Sequence, residues 1–296
     1  MGGVAENPAL EGGWHGLDPL PEMDERQFEQ WVALIRARTG MRLPRERKSF
    51  LVTSLNLRMR EIGKRDYQDY YDYLQSGRAG KIEWTALVDR LTVHETRFFR
   101  DRRAIDFFRD YCLPQIWGNR DQSLHIWSAG CSTGEEPFSL AMMIDQYAEH
   151  QGGGYYGITA TDISLVSLAA GKRAIYSERK LRELDDSLKT AYLTRLENGQ
   201  YQVADKLRKR ICFAQMNILD AGKTPLGNMD LIYCQNLLIY FDQEKRVEIL
   251  DGMAKHLKPG GILILGPGEI IEWHNPSLTR VTETTVLAYR RMEEVG

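Results

Sequence analysis

From residue 124 onward, short apolar runs alternate with longer segments that have a helical pattern. The apolar runs are LHIWSAG (124–130), YYGITATDI (155–163), MDLIYCQNLLIYF (229–241) and GILILG (261–266). Helix-like segments such as EEPFSLAMMIDQYAEH and EKRVEILDGMAKHLKPGG lie between them. This alternation is typical of an α/β fold with a doubly wound, Rossmann-like parallel sheet. One departure, GQYQVADKLRKRICFAQM (199–216), has short alternating strands and predicts a small antiparallel β insertion.

The part of the chain before this sheet has four amphipathic helical segments and no strand-like run. Asp24 can cap a first helix with apolar residues at the i, i+3, i+4, i+7 spacing, and Gly40 stands where such a helix ends. A small all-helical domain is therefore expected. The predicted divisions are a disordered tail rich in Gly, Pro and acids (1–23), the helical domain (24–92), a linker with a bridging helix (93–123) and the α/β domain (124–296).

Composition and charge exclude several classes of protein. The 296 residues include 39 Lys and Arg against 41 Asp and Glu, and a net charge of −2 argues against a surface devoted to nucleic acid. No stretch approaches the roughly 18–20 consecutive apolar residues of a membrane helix, and no signal-like segment opens the chain, so a cytoplasmic location is expected. Cys112, Cys131, Cys212 and Cys234 lack the spacing of a zinc site, so we expect buried thiols and no metal.

The turn after the first strand carries the clearest chemical signal. It runs from Gly130 to Glu136, lacks the third glycine of a dinucleotide loop, and places Glu135 and Glu136 where a pyrophosphate would have to sit. A ligand with positive or neutral groups suits this turn, and S-adenosylmethionine, with its sulfonium and ammonium groups, qualifies. Asp162 follows the next strand, where an acid accepts hydrogen bonds from ribose hydroxyls. Each feature alone could be structural, as a tight turn, first-turn acids or a helix cap, but together they favour a nucleoside-type ligand.

Four segments of the sequence resemble the signatures of the CheR family, the chemotaxis methyltransferases that esterify glutamate side chains of bacterial chemoreceptors. They are TVHETRFFRD (92–101), STGEEPFS (132–139), ATDI (160–163) and CQNLLIYF (234–241). The resemblance extends in order from about Asp24 to Arg291. It implies S-adenosylmethionine as cofactor, S-adenosylhomocysteine as product and no metal. The implied partners are the cytoplasmic domains of chemoreceptors, and the β insertion is a candidate site for a receptor C-terminal tail peptide.

Individual residues receive expected roles from this resemblance. Arg100 and Tyr240 would face the methyl group and the incoming carboxylate, as the catalytic pair. Arg100 would also reach the cofactor pocket. The other residues expected to bind the cofactor are His94, Thr96 and Gly130 in the pocket, Glu135 or Glu136 at the amino-acid end, Asp162 at the ribose, and Asn217, Ile218, Gln235 and Asn236 beside the adenosine.

Three positions depart from the pattern of the family. His94 stands where Asn is common, Gln235 where Arg is common, and Pro267-Gly268 where a His-Ser pair precedes Glu269. His94 invites interpretation as a general base, but a glutamate with a reference pKa near 4.3 is already ionised and needs none, so a hydrogen-bonding or structural role is favoured.

The assignments of the catalytic pair have ordinary alternatives. Arginine suits a carboxylate because its planar fork binds two oxygens. Arg100 could instead pair with Asp101 or Asp106 on the surface, and Tyr240 could be a packed aromatic residue.

Positive charge is concentrated in the helical domain. Residues 25–65 contain eleven Lys and Arg against four acids, a local charge of +7. An acidic bundle of receptor helices would be attracted to such a surface, and we expect Arg58 and Arg60 to face outward and dock it. The alternative is a solvated helix face without a partner.

Two other functions remain open at this stage. A nucleic-acid methyltransferase could use the basic domain against phosphates, but base methylation would call for an Asn/Asp-Pro-Pro-Tyr-like turn where this chain has Gln235-Asn236-Leu237-Leu238. A cytosine-C5 enzyme would have a Pro-Cys pair, whereas Tyr233 precedes Cys234. The other alternative is an inactive scaffold that senses S-adenosylmethionine.

Overall fold

In the computed structural model, which describes residues 22–118, 123–151, 154–270 and 272–293, the N-terminal unit is helical. Its helices are α1 (Glu25–Thr39), α2 (Lys48–Glu61), α3 (Tyr67–Gln75) and α4 (Gly77–Leu91). As predicted, Asp24 caps α1, accepting from the Gln27 amide at 2.7 Å, and Gly40 ends it with a φ of 72°. No helix in the described ranges is both long and apolar enough to cross a membrane.

The helical unit has its own core, built around Trp31, Tyr67 and Tyr70. Met23 is buried in this core, so the last part of the predicted tail is packed rather than free. Residues 1–21 of that tail lie outside the described residues. After α4 the chain crosses to the second unit without regular structure and enters α5 (Arg102–Phe107), a π-helical turn (Phe108–Cys112) and α6 (Leu113–Ile116).

The second unit is a twisted sheet flanked by helices. Among the described residues the sheet has seven strands, in the order β6-β2-β1-β7-β8-β10-β9. The strands are β1 (Leu124–Ala129), β2 (Tyr156–Asp162), β6 (Ile211–Gln215), β7 (Met229–Cys234), β8 (Leu257–Leu265), β9 (Leu278–Arg280) and β10 (Leu287–Arg291). The first five in that list pair in parallel, and β10 is antiparallel to its neighbours. The doubly wound prediction is confirmed.

The helices α7 (Glu135–Gln151), α8 (Leu165–Arg173) and α11 (Gln243–Ala254) connect the parallel strands. Strand order reverses between β1 and β7, because the chain adds β2 and β6 on one side of β1 and β7 and β8 on the other. Ligands of such sheets bind at this switch point, beyond the carboxyl ends of the strands.

The small antiparallel sheet is present, but most of it lies earlier in the chain than predicted. It consists of β3 (Ile175–Tyr176), β5 (Tyr201–Val203) and β4 (Leu193–Arg195), with α9 (Asp186–Tyr192) before β4 and α10 (Asp205–Arg208) after β5. The prediction that the insertion covers 199–216 was wrong at its end. Residues 211–215 pair in parallel with β2 as the edge of the main sheet. Alternation identifies a strand but not its pairing partner.

The cysteine prediction holds at three positions of four. Cys112, Cys131 and Cys234 are buried free thiols, whereas Cys212 is exposed. Cys212 belongs to the edge strand β6, whose outer face has less cover than the centre of the sheet.

The end of α1 joins the two units. The Arg42 amide donates to the Tyr240 carbonyl oxygen at 2.8 Å, and Asn217 Nδ2 donates to the Arg38 carbonyl oxygen at 2.9 Å. A Cβ at Gly40 would lie 2.7 Å from Leu219 Cδ2, so only glycine fits this approach without a shift. The helical unit is therefore fixed to loops at the switch point of the sheet.

Candidate active site

A pocket lies between the two units, at the carboxyl ends of β1, β2 and β7. The structure brings together eleven of the expected cofactor and catalytic residues on its wall: His94, Thr96, Arg100, Gly130, Glu136, Asp162, Asn217, Ile218, Gln235, Asn236 and Tyr240. They come from segments spread over about half of the chain.

Asp162 and Glu136 form an acidic side of this pocket. Asp162 accepts hydrogen bonds from the amides of Ser132 (2.8 Å) and Ser164 (2.9 Å), which fixes its carboxylate beside the glycine turn. Burial raises its pKa, and these two amides oppose the rise. Burial also raises the pKa of Glu136 to about 8, although its side chain accepts a hydrogen bond from Ser128 Oγ at 2.6 Å. A cationic ligand nearby would favour the ionised form of both groups and so lower both pKa values.

Of the two glutamates expected at the amino-acid end of the cofactor, Glu136 lines the pocket and Glu135 does not. The Glu135 side chain is fully buried, lies 2.8 Å from Lys180 Nζ and accepts a hydrogen bond from Thr133 Oγ1. Lys180 also donates to the Thr96 carbonyl oxygen at 3.0 Å, so this pair braces the pocket from behind. Adjacent residues of a helix point about 100° apart, which separates the roles of the two glutamates.

Backbone strain is concentrated around the pocket. Phe99, Ser132 and Asn236 have left-handed φ values of 52°, 48° and 57°, and all three line it. For residues other than glycine this conformation is costly and is held by the surrounding structure, commonly at functional sites.

Two polar side chains on the wall lack a hydrogen-bond partner in the described structure. Gln235 is about nine-tenths buried, yet neither its Oε1 nor its Nε2 is paired, and Ser132 Oγ is likewise buried and unpaired. Buried polar groups are nearly always satisfied, so these atoms point to a polar ligand. An amide, a hydroxyl and two acids fit the ammonium and hydroxyl groups of S-adenosylmethionine. Within the described ranges no cluster of His, Cys, Asp and Glu could hold a metal ion.

Arg100 and Tyr240 line the same pocket as the two acids. The Arg100 guanidinium donates to the Glu95 carbonyl oxygen at 2.7 Å, which orients it. Burial raises the pKa of Tyr240, and the positive charges of Arg100 and Arg47 oppose that rise, so both arginines lie near its hydroxyl. This geometry offers a cation and a hydroxyl donor to a carboxylate.

Two other wall residues are already engaged with the protein. His94 Nδ1 lies 2.8 Å from Ser167 Oγ, and its Nε2 lies 2.8 Å from the Asp89 carbonyl oxygen, so both ring nitrogens link the units. The Asn217 amide is likewise engaged at both ends, since its Oδ1 accepts from the Leu219 amide at 3.2 Å while its Nδ2 contacts the helical unit.

The prediction that Arg58 faces outward was wrong. Its guanidinium forms a double hydrogen bond with the buried carboxylate of Glu83, with Nε 2.9 Å from Oε1, and it also pairs with Glu61. Tyr70 donates to the same Glu83 oxygen at 2.7 Å. Arg60, in contrast, is exposed as expected.

Several residues that shape the site were missed. Ser128 acts through Glu136, eight residues further along the chain, and Lys180 acts through Glu135, which lies in a different element. No local sequence pattern predicts either contact. The position of Arg47 near Tyr240 depends on how the two units pack.

Comparison with known proteins agrees with this arrangement. A family model described as "CheR methyltransferase, SAM binding domain" matches residues 94–288, and one described as "CheR methyltransferase, all-alpha domain" matches residues 26–92. The chemotaxis protein methyltransferase of Borreliella burgdorferi is 31% identical over 83% of this chain and 88% of its own. Chemotaxis protein methyltransferase 1 of Pseudomonas aeruginosa is 33% identical, over 82% and 90%. The chemotaxis protein methyltransferase of Escherichia coli is 31% identical, over 83% and 85%. The chain therefore belongs to the CheR methyltransferase family, with an all-helical domain followed in the sequence by an S-adenosylmethionine-binding domain.

Proposed function

We propose that this chain transfers a methyl group from S-adenosylmethionine to glutamate carboxylates in the cytoplasmic domains of chemoreceptors. The products are glutamyl methyl esters and S-adenosylhomocysteine, and the reaction adjusts receptor sensitivity in chemotaxis. The observation that carries the proposal is that Arg100 and Tyr240 line the same pocket as Glu136 and Asp162. The two acids suit a cationic cofactor, and the guanidinium and the hydroxyl suit a carboxylate.

The proposed cofactor contacts use the two acids of the pocket and two side chains that lack a partner among the described residues. Glu136 would hold the ammonium group, Asp162 the ribose hydroxyls, and Gln235 and Ser132 would gain hydrogen bonds that the protein does not supply. When bound, S-adenosylmethionine supplies an electrophilic methyl group on a positively charged sulfur. The proposal involves no metal.

The acceptor side needs alignment rather than a base, because a glutamate carboxylate is ionised at neutral pH. Arg100 would bind the carboxylate through its planar fork, and the Tyr240 hydroxyl would fix the direction of the attacking oxygen. Holding two reactants at attack distance can lower a barrier by roughly 7–11 kcal/mol. Glu95, which orients Arg100 through its carbonyl oxygen, supports this alignment.

The proposed docking surface uses arginines other than Arg58. Arg58 is committed to Glu83, whereas Arg42 and Arg60 are exposed and Arg47 lies near Tyr240. We therefore expect acidic receptor helices to contact Arg42 and Arg47, which lie near Tyr240, and the exposed Arg60. A receptor tail peptide at the small sheet β3-β5-β4 remains part of the proposal.

The test uses the full chain, a receptor cytoplasmic fragment and S-adenosylmethionine labelled in its methyl group. We expect label on the fragment that alkali releases as methanol, because esters hydrolyse readily and N-methyl groups do not. A fragment whose acceptor glutamates are replaced by alanine is the matched control. Label that resists alkali, or that appears on nucleic acid, would contradict the proposal. Saturable cofactor binding without any transfer would favour a sensing scaffold.

A further inference from the structure

The turn that carries the proposed catalytic tyrosine has little support of its own. Residues 235–241 leave β7 and form a single 3-10 turn, Leu238–Tyr240, before α11 begins. Leu237, which precedes this turn, provides no side-chain cap. The backbone amides at the start of this turn have no acceptor within the turn, so they need a partner from elsewhere in the fold.

Glu269, on the loop after β8, supplies that partner. Its side chain is fully buried, and its Oε1 accepts from the amides of Leu237 (2.6 Å) and Leu238 (2.9 Å). Its Oε2 accepts from the Gly266 amide at 2.7 Å. One carboxylate thus caps the turn and ties it to the end of the neighbouring strand.

The surroundings of Glu269 are built tightly around this contact. A Cβ at Gly266 would lie 3.0 Å from Glu269 Oε2 and 3.1 Å from the Asn236 amide nitrogen, so a larger residue would push on both. Arg246 donates from Nη1 to the Glu269 carbonyl oxygen and from Nε to the Phe241 carbonyl oxygen, each at 2.9 Å. The two ends of the turn are therefore held by one connected set of bonds.

We propose that Glu269 is a positioning residue for methyl transfer, which holds Tyr240 in place by capping its turn from outside. The proposal rests on the role of Tyr240 in the proposed function. Glu269 itself does not line the pocket. Its contribution is to keep the Tyr240 hydroxyl aimed at the acceptor, since small misplacements of a positioning group are costly to rate.

The first measurement is independent of activity. In Glu269→Gln the side-chain amide has only one oxygen and cannot accept from all three backbone amides. One of these N–H groups must therefore face the N–H donors of the glutamine side chain. We expect hydrogen exchange of residues 235–241 to accelerate by more than about tenfold, whereas strands β1 and β2 keep their protection. Glu272→Gln is the matched control, because Glu272 is exposed and only three residues away.

The second measurement separates positioning from general loss of structure. We expect Glu269→Gln to lower kcat for receptor methylation by more than about tenfold, with the affinity for S-adenosylhomocysteine and the KM for receptor changed less than about threefold. In a Tyr240→Phe background the same substitution should have an effect of less than about threefold, because its target is already gone.

If Glu269→Gln does not fold, Gly266→Ala provides a second variant. Its methyl group would push on the Glu269 carboxylate and the neighbouring backbone while the carboxylate itself is kept, and we expect the same results. Wild-type exchange at 235–241, a kcat within about twofold of wild type, or full additivity with Tyr240→Phe would overturn the proposal. If the wild-type chain makes no ester, the proposed function fails, while the exchange measurement still decides whether Glu269 holds the turn.

Discussion

At Glu136, burial changes what a carboxylate can do. Burial raises its pKa to about 8 from an ordinary 4.5, more than the hydrogen bond from Ser128 lowers it. In the free protein near neutral pH this group therefore holds a proton. A cation beside it favours the charged form, so binding of a ligand with an ammonium group must displace that proton.

Binding of S-adenosylhomocysteine, whose ammonium group is retained after methyl transfer, should therefore release a proton. We expect its affinity to increase by up to about tenfold per pH unit as the pH rises toward the pKa of Glu136, and to level off above it. Calorimetry in buffers of different ionisation enthalpy measures the proton directly. Glu136→Gln should remove this dependence, and an equal dependence in that variant would contradict the assignment.

The same shift has an opposite consequence for the free protein. Because the folded pKa of Glu136 (about 8) lies above its ordinary 4.5, the folded state binds more protons in this range. Stability should therefore decrease as the pH rises from about 4.5 through about 8. Thermal melts without ligand should show a flatter profile for Glu136→Gln than for wild type. Parallel profiles would place the pKa of Glu136 near its ordinary value.

Asp162 combines two tasks, since it also accepts the amides of Ser132 and Ser164. Asp162→Ala should weaken S-adenosylhomocysteine binding by about 1–3 kcal/mol, the cost of a lost hydrogen-bonding group. Asp186→Ala, at a nearly fully exposed acid, is the control. Unchanged affinity in Asp162→Ala, measured by calorimetry, would remove this residue from the site.

At the scale of elements, α2 shows how a helix stripe can mislead. Arg58 stands three residues after Leu55 and four before Ile62, which is the spacing of the buried face rather than the exposed one. The charge of Arg58 predicts exposure to solvent, whereas its position on the helix predicts burial. Glu83 on α4 resolves the conflict by pairing with it, and no pattern within α2 alone reveals that partner.

Substitutions in α2 should therefore separate stability from docking. Arg58→Ala leaves the buried Glu83 without its partner and should cost about 3 kcal/mol of unfolding free energy. Arg60→Ala, at an exposed position of the same helix, should cost less than about 0.5 kcal/mol. Denaturant melts of both variants provide the comparison. Equal losses would mean that the Arg58–Glu83 pair does not stabilise the domain.

Local signals predicted local structure well and long-range contacts poorly. Asp24 and Gly40 were predictable because caps depend on neighbouring residues. The glycine turn and Asp162 were predictable as a pair because the order of a βαβ unit places both at one sheet edge. The burial of Glu135 against Lys180 and the contact of Glu269 with the Leu237 amide join residues more than 30 positions apart, so no local spacing predicts them.

At the scale of the whole molecule, charge is divided between the units. The net charge is −2, yet residues 25–65 carry +7. Exposed charges act over a Debye length of about 8 Å at physiological ionic strength, so docking of an acidic receptor should weaken with salt. Cofactor binding, enclosed in the pocket, should change little.

Reversing the charges near Tyr240 should test whether the basic helical unit docks the receptor. Arg42→Glu with Arg47→Glu should raise the KM for receptor and flatten its salt dependence, while S-adenosylhomocysteine affinity stays unchanged. Arg173→Glu with Lys255→Glu makes the same change in net charge at exposed positions that lie outside the helical unit and do not line the pocket. If both double variants behave alike, total charge rather than a defined docking surface governs the encounter.

The hydrogen bonds at the end of α1 limit how this protein can be recombined with its relatives. Asn217 contacts the backbone of the helical unit at Arg38, and Tyr240 contacts it at Arg42. The helical unit therefore supports the pocket wall together with the sheet unit. A chimera that takes its helical domain from another member of the family has new contacts at this junction. Such a hybrid keeps the two hydrogen bonds only when the donor also has a glycine at the position of Gly40 and a backbone that reaches both Asn217 and Tyr240.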